Sequence, residues 1–381
     1  AAGTIGWLAL GVALTVAAGS QGALLNGLRR IGDVARVSVL STLLSTMIGV
    51  GALLLLGDKG VLVFVLAGPL SSFLLGHWFV SRLPRIAGSP TKFRELQQQW
   101  ETLAKLGVAF MVAGLAGPVG QLAVRMIVQQ ELGAESLGNF QAAWMISAMY
   151  IGFVLGAMGA DYYPRLTATI SDSGATNQLV NEQAEVALLL AGPVLITMLG
   201  LAPWVIEILF SSQFTDAARV LRWQVLGDVL KVASWPLGIV ILASGDGRMV
   251  MLIEFIAMLA LIGLTWVLVP FFGVEATGIA SLGKYVVFLP MVYWLARRRT
   301  GFTWQSRVFR QLLLLMVITA IVFTLGLWSK WLGAGLSIIA AAMLSLLALA
   351  RIGHMANLTG SAGRMAVKSR ALMMKMGVWS D

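Results

Sequence analysis

The stretch MVMLIEFIAMLALIGLTWVLVPF, residues 249–271, decides the kind of fold this chain adopts. It contains a single charge, at Glu254. A helix that crosses the roughly 30 Å hydrocarbon core of a bilayer needs about 20 mostly apolar residues. The stretch meets that requirement, and its continuous apolar character does not match the alternating pattern of a membrane β-strand. We therefore predict a transmembrane helix here.

Ten other stretches pass the same test, so we predict an all-α polytopic membrane protein with about eleven spans. Glycine and proline interrupt most of them, which membrane helices tolerate when neighbouring groups satisfy the freed backbone. The other ten spans are 5–25, 37–57, 61–81, 106–128, 139–160, 186–206, 223–244, 274–296, 311–328 and 331–350.

The composition supports this class and excludes others. Hydrophobic residues make up 58% of the chain and charged residues 12%, whereas a soluble domain is about 25% charged. Too few charges remain to cover a water-soluble surface, which excludes a soluble enzyme and a nucleic-acid-binding module. The net charge of +10 is better explained by cytoplasmic loops, which carry an excess of lysine and arginine.

The distribution of basic residues predicts the orientation. Twenty of the 27 lysines and arginines fall on alternate flanks of the spans, four on the opposite flanks and three within spans. The rich side is predicted to be cytoplasmic, which places residue 1 outside and the C-terminus inside. We expect residues 86–105 to form a cytoplasmic linker with an amphipathic helix, and residues 353–381 to form a basic cytoplasmic tail.

Polar residues form a stripe within the span 223–244. Gln224, Asp228 and Lys231 are spaced by four and three residues, which places them on one helical face. Ionisable groups at bilayer depth cost about 2.5–3.5 kcal/mol each on an insertion scale. The stripe therefore indicates a wall of an aqueous cavity, or alternatively a buried Asp228–Lys231 pair that only fixes packing.

Lys284 lies near the middle of the span 274–296 and has no acidic neighbour on its own helix. It is predicted to face an anionic ligand in a cavity, or to pair with a carboxylate on another helix such as Glu254. Glu254 and Asp228 are the candidates for coupling to an ion gradient.

A second polar face lies on the span 106–128. Gln121 and Arg125 are one turn apart there, so their side chains share a face. Arginine suits phosphate because its planar guanidinium donates two parallel hydrogen bonds. We predict a second cavity wall here, or else an Arg125 that reaches the outer interface.

The sequence shows no motif of a catalytic or metal-dependent protein. There is no phosphate-binding GxxxxGK[ST] loop, no nucleophile elbow and no cysteine. His77 and His354 have no second ligand at a suitable spacing. The residues alone therefore predict a transporter with a cationic cavity, without a catalytic site, a metal or a cofactor.

Three runs of residues resemble a known family. They are RWQVLGDVLKVASWP at 222–236, GADYYPRLT at 159–167 and ALLNGLRR at 23–30. These runs are similar to bacterial O-antigen and enterobacterial common antigen flippases, the Wzx-type members of the MOP exporter superfamily. The first run is the most specific, and the order of the helices agrees over nearly the whole chain.

The resemblance implies a two-lobe helical bundle around a central cavity. Residues 1–85 would be the second half of the N-terminal lobe, 106–298 the C-terminal six-helix lobe, and 299–352 two extra transmembrane helices. The matched order begins at about the fourth family helix, so the resemblance predicts an N-terminally incomplete bundle lacking about three helices.

The family's activity supplies the functional expectation. The resemblance implies translocation of undecaprenyl-pyrophosphate-linked oligosaccharide from the cytoplasmic to the periplasmic leaflet of the inner membrane, by alternating access. A polysaccharide polymerase and a chain-length regulator would be its partners. Lys231, Lys284 and Arg125 are the expected phosphate ligands.

Other functions remain open at this stage. A lipid II flippase of the same superfamily also needs cations in its cavity. A multidrug antiporter is expected to show cavity carboxylates instead. A membrane-embedded polysaccharide polymerase or ligase is less consistent with the short outer loops predicted here.

Overall fold

The computed structural model describes residues 2–28, 30–83 and 93–355. All regular structure in these ranges is helical. The helices are α1 (Ala2–Gly27), α2 (Ile31–Leu56), α3 (Gly60–Ser81), α4 (Phe93–Thr169), α5 (Ser173–Leu209), α6 (Thr215–Ala243), α7 (Gly247–Phe272), α8 (Glu275–Thr300), α9 (Ser306–Trp328) and α10 (Lys330–Met355). Residues 84–92 of the predicted linker and 356–381 of the predicted tail lie outside the described residues.

Local chemistry explains where several helices end. Gly57, Gly273 and Gly301 follow α2, α7 and α8 with φ of 56°, 56° and 69°, a positive range that glycine enters without strain. Asp172 precedes α5, and its carboxylate accepts hydrogen bonds from the backbone N–H of Gly174 and of Ala175. These bonds satisfy donors that the first turn of a helix leaves free.

The helices are long and apolar enough for a membrane protein. Within the described residues, eight apolar helical stretches could cross a bilayer, or nine if a bent pair near 117–169 counts as one span. One of the eight, Gly32–Ser81, contains both α2 and α3, which a 3₁₀ turn separates and which pack on each other. The predicted all-α multi-pass class is therefore confirmed.

α4 folds back on itself at Gly133, where φ is 82° and ψ is −175°. The guanidinium of Arg125 lies 5.3 Å from the ring centre of Trp144. Along a straight helix these residues would be about 28 Å apart, at roughly 1.5 Å per residue. The first arm (residues before Gly133) and the second arm (residues after it) therefore form a hairpin. The spans at 106–128 and 139–160 fall on different arms and stay predictions.

The chain divides into two compact units, residues 1–100 and 101–381. In the first unit, α3 packs against both α1 and α2. Large apolar side chains such as Leu54 and Leu55 stay exposed there, as expected for surfaces that face lipid tails.

In the second unit, α6 is the most deeply buried of the spanning helices. It packs mainly on α5 and α8, while α7 packs on α8. α9 and α10 pack on α5 within the same unit. The division between residues 100 and 101 falls inside the predicted linker 86–105. The assignment of the two units to family lobes stays a prediction.

Candidate functional site

Glycines bring α6 and α8 close enough to share one site. A Cβ atom at Gly227 of α6 would lie 3.0 Å from the Cα of Leu282, and one at Gly278 of α8 would lie 2.7 Å from the carbonyl oxygen of Val220. The distance at Gly278 is shorter than real Cβ atoms show and the distance at Gly227 is at the tight limit, so the backbones of α6 and α8 lie in close contact. This approach positions the polar side chains of α6 opposite those of α8.

A cavity of about 440 Å³ lies within the second unit, lined by both arms of α4 and by α6, α7 and α8. The structure brings together around it all six residues that the sequence singled out as cavity-lining. These residues are Gln121, Arg125, Gln224, Asp228, Lys231 and Lys284. Glu254, the seventh predicted site residue, does not line the cavity but contacts Lys284.

Asp228 is held by hydroxyl groups. Its Oδ2 accepts hydrogen bonds of 2.6 Å from Ser147 Oγ and of 2.6 Å from Tyr150 OH, and only 2% of the residue is exposed. The alternative of an Asp228–Lys231 ion pair is not realised among the described ion pairs. The carboxylate is therefore fixed by α4.

The two lysines have different environments. Lys284 is 6% exposed, and its Nζ lies 2.8 Å from Glu254 Oε1 on α7, so the interhelical pair considered from the sequence is present. Lys231 forms none of the described ion pairs, and its Nζ lies 5.9 Å from the ring centre of Tyr285. The ammonium of Lys231 is thus available to a ligand.

The remaining wall presents polar atoms that need partners. Gln121 Oε1, Arg125 Nε and Gln224 Oε1 are buried, and none has a hydrogen-bond partner among the described protein atoms. Buried polar atoms are costly unless they bond to protein, water or ligand. The cavity is therefore suited to a hydrated or polar occupant.

The charges that line the cavity are unbalanced. Arg125, Lys231 and Lys284 supply three cations, while Asp228 is the one carboxylate in the described lining. Even with Glu254 counted behind Lys284, a positive charge remains. A site of this kind attracts anions.

Four residues that line the cavity or hydrogen-bond to its lining were not predicted from the sequence: Trp144, Ser147, Tyr150 and Tyr285. Ser147 and Tyr150 lie 81 and 78 residues from Asp228, so no local spacing joins them to it. The sequence signal that could have identified these two residues is the presence of hydroxyl groups within the otherwise apolar span 139–160.

Comparisons with known proteins identify the family of the chain. A family profile described as "Polysaccharide biosynthesis protein" matches residues 1–219. Two curated relatives named "Lipid III flippase", from Escherichia coli (strain K12) and Shigella flexneri, are each 24% identical over 212 residues. Each match covers 54% of this chain and 51% of the relative, so the match spans about half the length of these relatives.

Solved structures share the fold. "Lipid II flippase MurJ, inward closed conformation" superposes with a TM-score of 0.68 at 12% identity, over 91% of this chain and 73% of that one. A MATE structure in complex with MaL6 gives 0.61 at 16% identity, over 78% and 69%. A crystal structure of a MATE point mutant gives 0.59 at 17% identity, over 77% and 68%.

The apolar helices and the comparisons define a multi-pass membrane protein whose fold is shared by the MurJ and MATE structures. The chain belongs to the polysaccharide biosynthesis protein family. The resemblance drawn from residues 222–236, 159–167 and 23–30 is confirmed at this level.

Proposed function

We propose that this chain acts in a flippase that translocates undecaprenyl-pyrophosphate-linked oligosaccharide, an O-antigen or similar repeat unit. Translocation runs from the cytoplasmic to the periplasmic leaflet of a bacterial inner membrane, by alternating access. The observation that carries the proposal is the 440 Å³ cavity, in which three cations face one carboxylate. The curated relatives bear the name of a lipid flippase, which supports a lipid-linked substrate.

The cavity chemistry suits a diphosphate. A pyrophosphate leaving water must exchange its hydration for charge-assisted hydrogen bonds. Lys231 offers an ammonium outside any described ion pair, and Arg125 offers a planar fork. The amides of Gln121 and Gln224 can hydrogen-bond phosphate oxygens or sugar hydroxyls. The polyprenyl chain remains among the lipid tails.

Lys284 connects the proposed substrate site to the carboxylate of Glu254. Its ammonium contacts Glu254, and it also lines the cavity. A pyrophosphate that draws Lys284 away leaves the carboxylate of Glu254 without its cation and open to a coupling ion. In this proposal Glu254 carries the coupling proton, while Asp228 is the second candidate for ion coupling.

The other candidate functions have less support. A drug-cation antiporter is disfavoured because the described cavity lining has more cations than carboxylates. A lipid II or lipid III substrate shares the phosphate chemistry and differs from an O-antigen unit in its sugars. A polymerase and a chain-length regulator are proposed as partners, with the C-terminus in the cytoplasm.

Binding measurements on the purified protein in detergent test the proposal. Undecaprenyl pyrophosphate should bind at least about tenfold more tightly than undecaprenol, because one charge-assisted hydrogen bond corresponds to about 1.5–3 kcal/mol. Lys231→Gln should reduce this preference, whereas Arg248→Gln, which removes an exposed cation at the start of α7, should not. Equal affinity for the two lipids would contradict a cationic substrate cavity.

A further inference from the structure

Arg222 is a buried cation that the transport cavity does not use. It is two residues before Gln224, so the two side chains point to opposite sides of α6. Only 7% of Arg222 is exposed, and its Nη1 donates a 3.1 Å hydrogen bond to the carbonyl oxygen of Gly326 on α9. The guanidinium packs directly against α9 here, since a Cβ at Gly326 would lie 3.4 Å from it, in van der Waals contact.

The charge of Arg222 is not neutralised within the described part of the protein. Its Nε and Nη2 atoms are buried without a hydrogen-bond partner among the described protein atoms, and it forms none of the described ion pairs. A buried charge without a counter-charge is strongly destabilising. An arginine in this state therefore indicates a binding site for an anion.

A pocket of about 290 Å³ adjoins this side chain. We call it the Arg222 pocket, and it lies between the end of α5 and the starts of α6 and α10. Its charged and hydroxyl lining residues are Glu207, Ser211, Ser212, Thr215, Arg219, Arg222 and Lys330. Arg219 forms an ion pair with Glu275, in which Nη1 lies 2.9 Å from Oε1. Arg222 and Lys330 are the cations left for an anion.

Aromatic residues mark the depth of the pocket. Lys330 lies 5.9 Å from the ring centre of Trp204 and 5.8 Å from that of Trp331, and Trp331 is largely exposed. Tryptophan concentrates at the level of lipid headgroups, where lysine side chains also end. The charge distribution along the chain predicts that this end of the bundle is the outer one. The anions present at that depth are the phosphates of membrane lipids.

We propose that the Arg222 pocket binds the headgroup phosphate of an anionic phospholipid from the outer leaflet. The phosphate of such a lipid has no cation in its own headgroup, unlike that of phosphatidylcholine, so it provides the missing counter-charge for Arg222 and Lys330 and stabilises the junction of α5, α6, α9 and α10. The site is separate from the transport cavity, and it stands whether or not the proposed substrate is correct.

Thermal unfolding of the whole chain in lipid nanodiscs tests this site. Discs of phosphatidylcholine alone are compared with discs that also contain phosphatidylglycerol. We expect phosphatidylglycerol to raise the Tm of the wild type by about 5 °C, the gain expected from a nearly saturated ligand. Arg248→Met should gain equally, because it removes an exposed cation outside the pocket. Arg222→Met should gain less than half as much.

Lipid retention gives a second readout on a variant expected to fold. Lys330 is exposed, so Lys330→Met should leave the helices intact. In native mass spectrometry the wild type should retain phosphatidylglycerol in preference to phosphatidylcholine. Lys330→Met should reduce this preference about tenfold, the effect of losing one charge-assisted hydrogen bond. An unchanged preference in Lys330→Met would overturn the proposal.

Two further outcomes would also overturn it. If Glu207 is the counter-ion, Glu207→Gln lowers the Tm in phosphatidylcholine discs and phosphatidylglycerol adds nothing to the wild type. If inorganic phosphate raises the Tm of detergent-solubilised protein as much as phosphatidylglycerol does in discs, the pocket binds a soluble anion rather than a lipid.

Discussion

The hydroxyl of Tyr150 donates a 2.6 Å hydrogen bond to Oδ2 of Asp228, which joins the second arm of α4 to α6. Both residues are buried, and the bond links positions 78 residues apart. The carboxylate nearest to Lys231 on the same helix is thereby fixed by neutral groups rather than by that lysine. The ammonium of Lys231 therefore stays accessible in the cavity.

Tyr150→Phe should destabilise the protein, because it removes this hydroxyl and keeps the ring. A hydrogen bond to a charged group contributes about 1.5–3 kcal/mol. The measurement is the Tm in one defined detergent, compared with Tyr163→Phe, which removes the hydroxyl of an exposed tyrosine. Equal Tm values for the two variants would show that the Tyr150–Asp228 bond does not stabilise the fold.

The Lys284–Glu254 pair should show strong coupling in a double-mutant cycle. Glu254→Gln alone leaves Lys284 buried without its anionic partner, a change that typically costs about 3–5 kcal/mol. Lys284→Met combined with Glu254→Gln should recover most of that loss. The free energies of unfolding of the two single variants and the double variant give the coupling energy. Additive losses would mean that the 2.8 Å contact contributes no net stability.

Lys231→Ala should abolish export of surface polysaccharide in a strain that depends on this protein, while the amount of protein in the membrane stays normal. Lys284→Ala should have the same effect, because both ammonium groups line the cavity. Arg248→Ala is the control, since that residue lies outside it. The readout is surface polysaccharide on gels together with immunoblots of membranes. Normal export with Lys231→Ala would refute the role of this cation.

Asp58→Cys should react with a membrane-impermeant thiol reagent added to intact spheroplasts, and Arg298→Cys should not. Both positions are exposed, and the chain has no native cysteine to cause background labelling. The expectation follows from the concentration of basic residues on the predicted cytoplasmic side. Permeabilised membranes, in which both should react, serve as the control. The reverse labelling pattern would invert the predicted orientation.

Gly278→Ala should destabilise the contact between α6 and α8, because the new Cβ would lie 2.7 Å from the carbonyl oxygen of Val220. Gly263→Ala is the matched control, since nothing lies within 4 Å of a Cβ there. In a helix, glycine to alanine at an open site is usually favourable by up to about 1 kcal/mol. The Tm should therefore fall for Gly278→Ala and stay or rise for Gly263→Ala. Equal changes would argue against a tight contact at Gly278.

The fold class was predictable from the sequence because the bilayer imposes a length on every span. The two polar faces were predictable for a related reason: Gln224, Asp228 and Lys231, like Gln121 and Arg125, are close in sequence at helical spacing. Helical periodicity reports which residues share a face of one helix. It does not report which helices those faces meet.

Contacts between residues far apart in the chain could therefore not be predicted from the sequence. Nothing near Asp228 in the chain points to Tyr150, and Arg222 resembles an ordinary loop-flanking cation until its burial against Gly326 is known. Glu254 was an exception. It could be named as a partner of Lys284 because few carboxylates lie within the predicted spans.

The reversal at Gly133 has a consequence for reading genetic data. Its φ of 82° is one that residues with a side chain adopt only under strain, yet nothing lies within 4 Å of a Cβ at this position. A substitution there would move Arg125 relative to Trp144 without touching either residue. In a screen for lost transport, substitutions at position 133 would therefore have the same phenotype as substitutions of a ligand-contacting residue. The absence of Gly133 from the described cavity lining would then show that the effect is conformational.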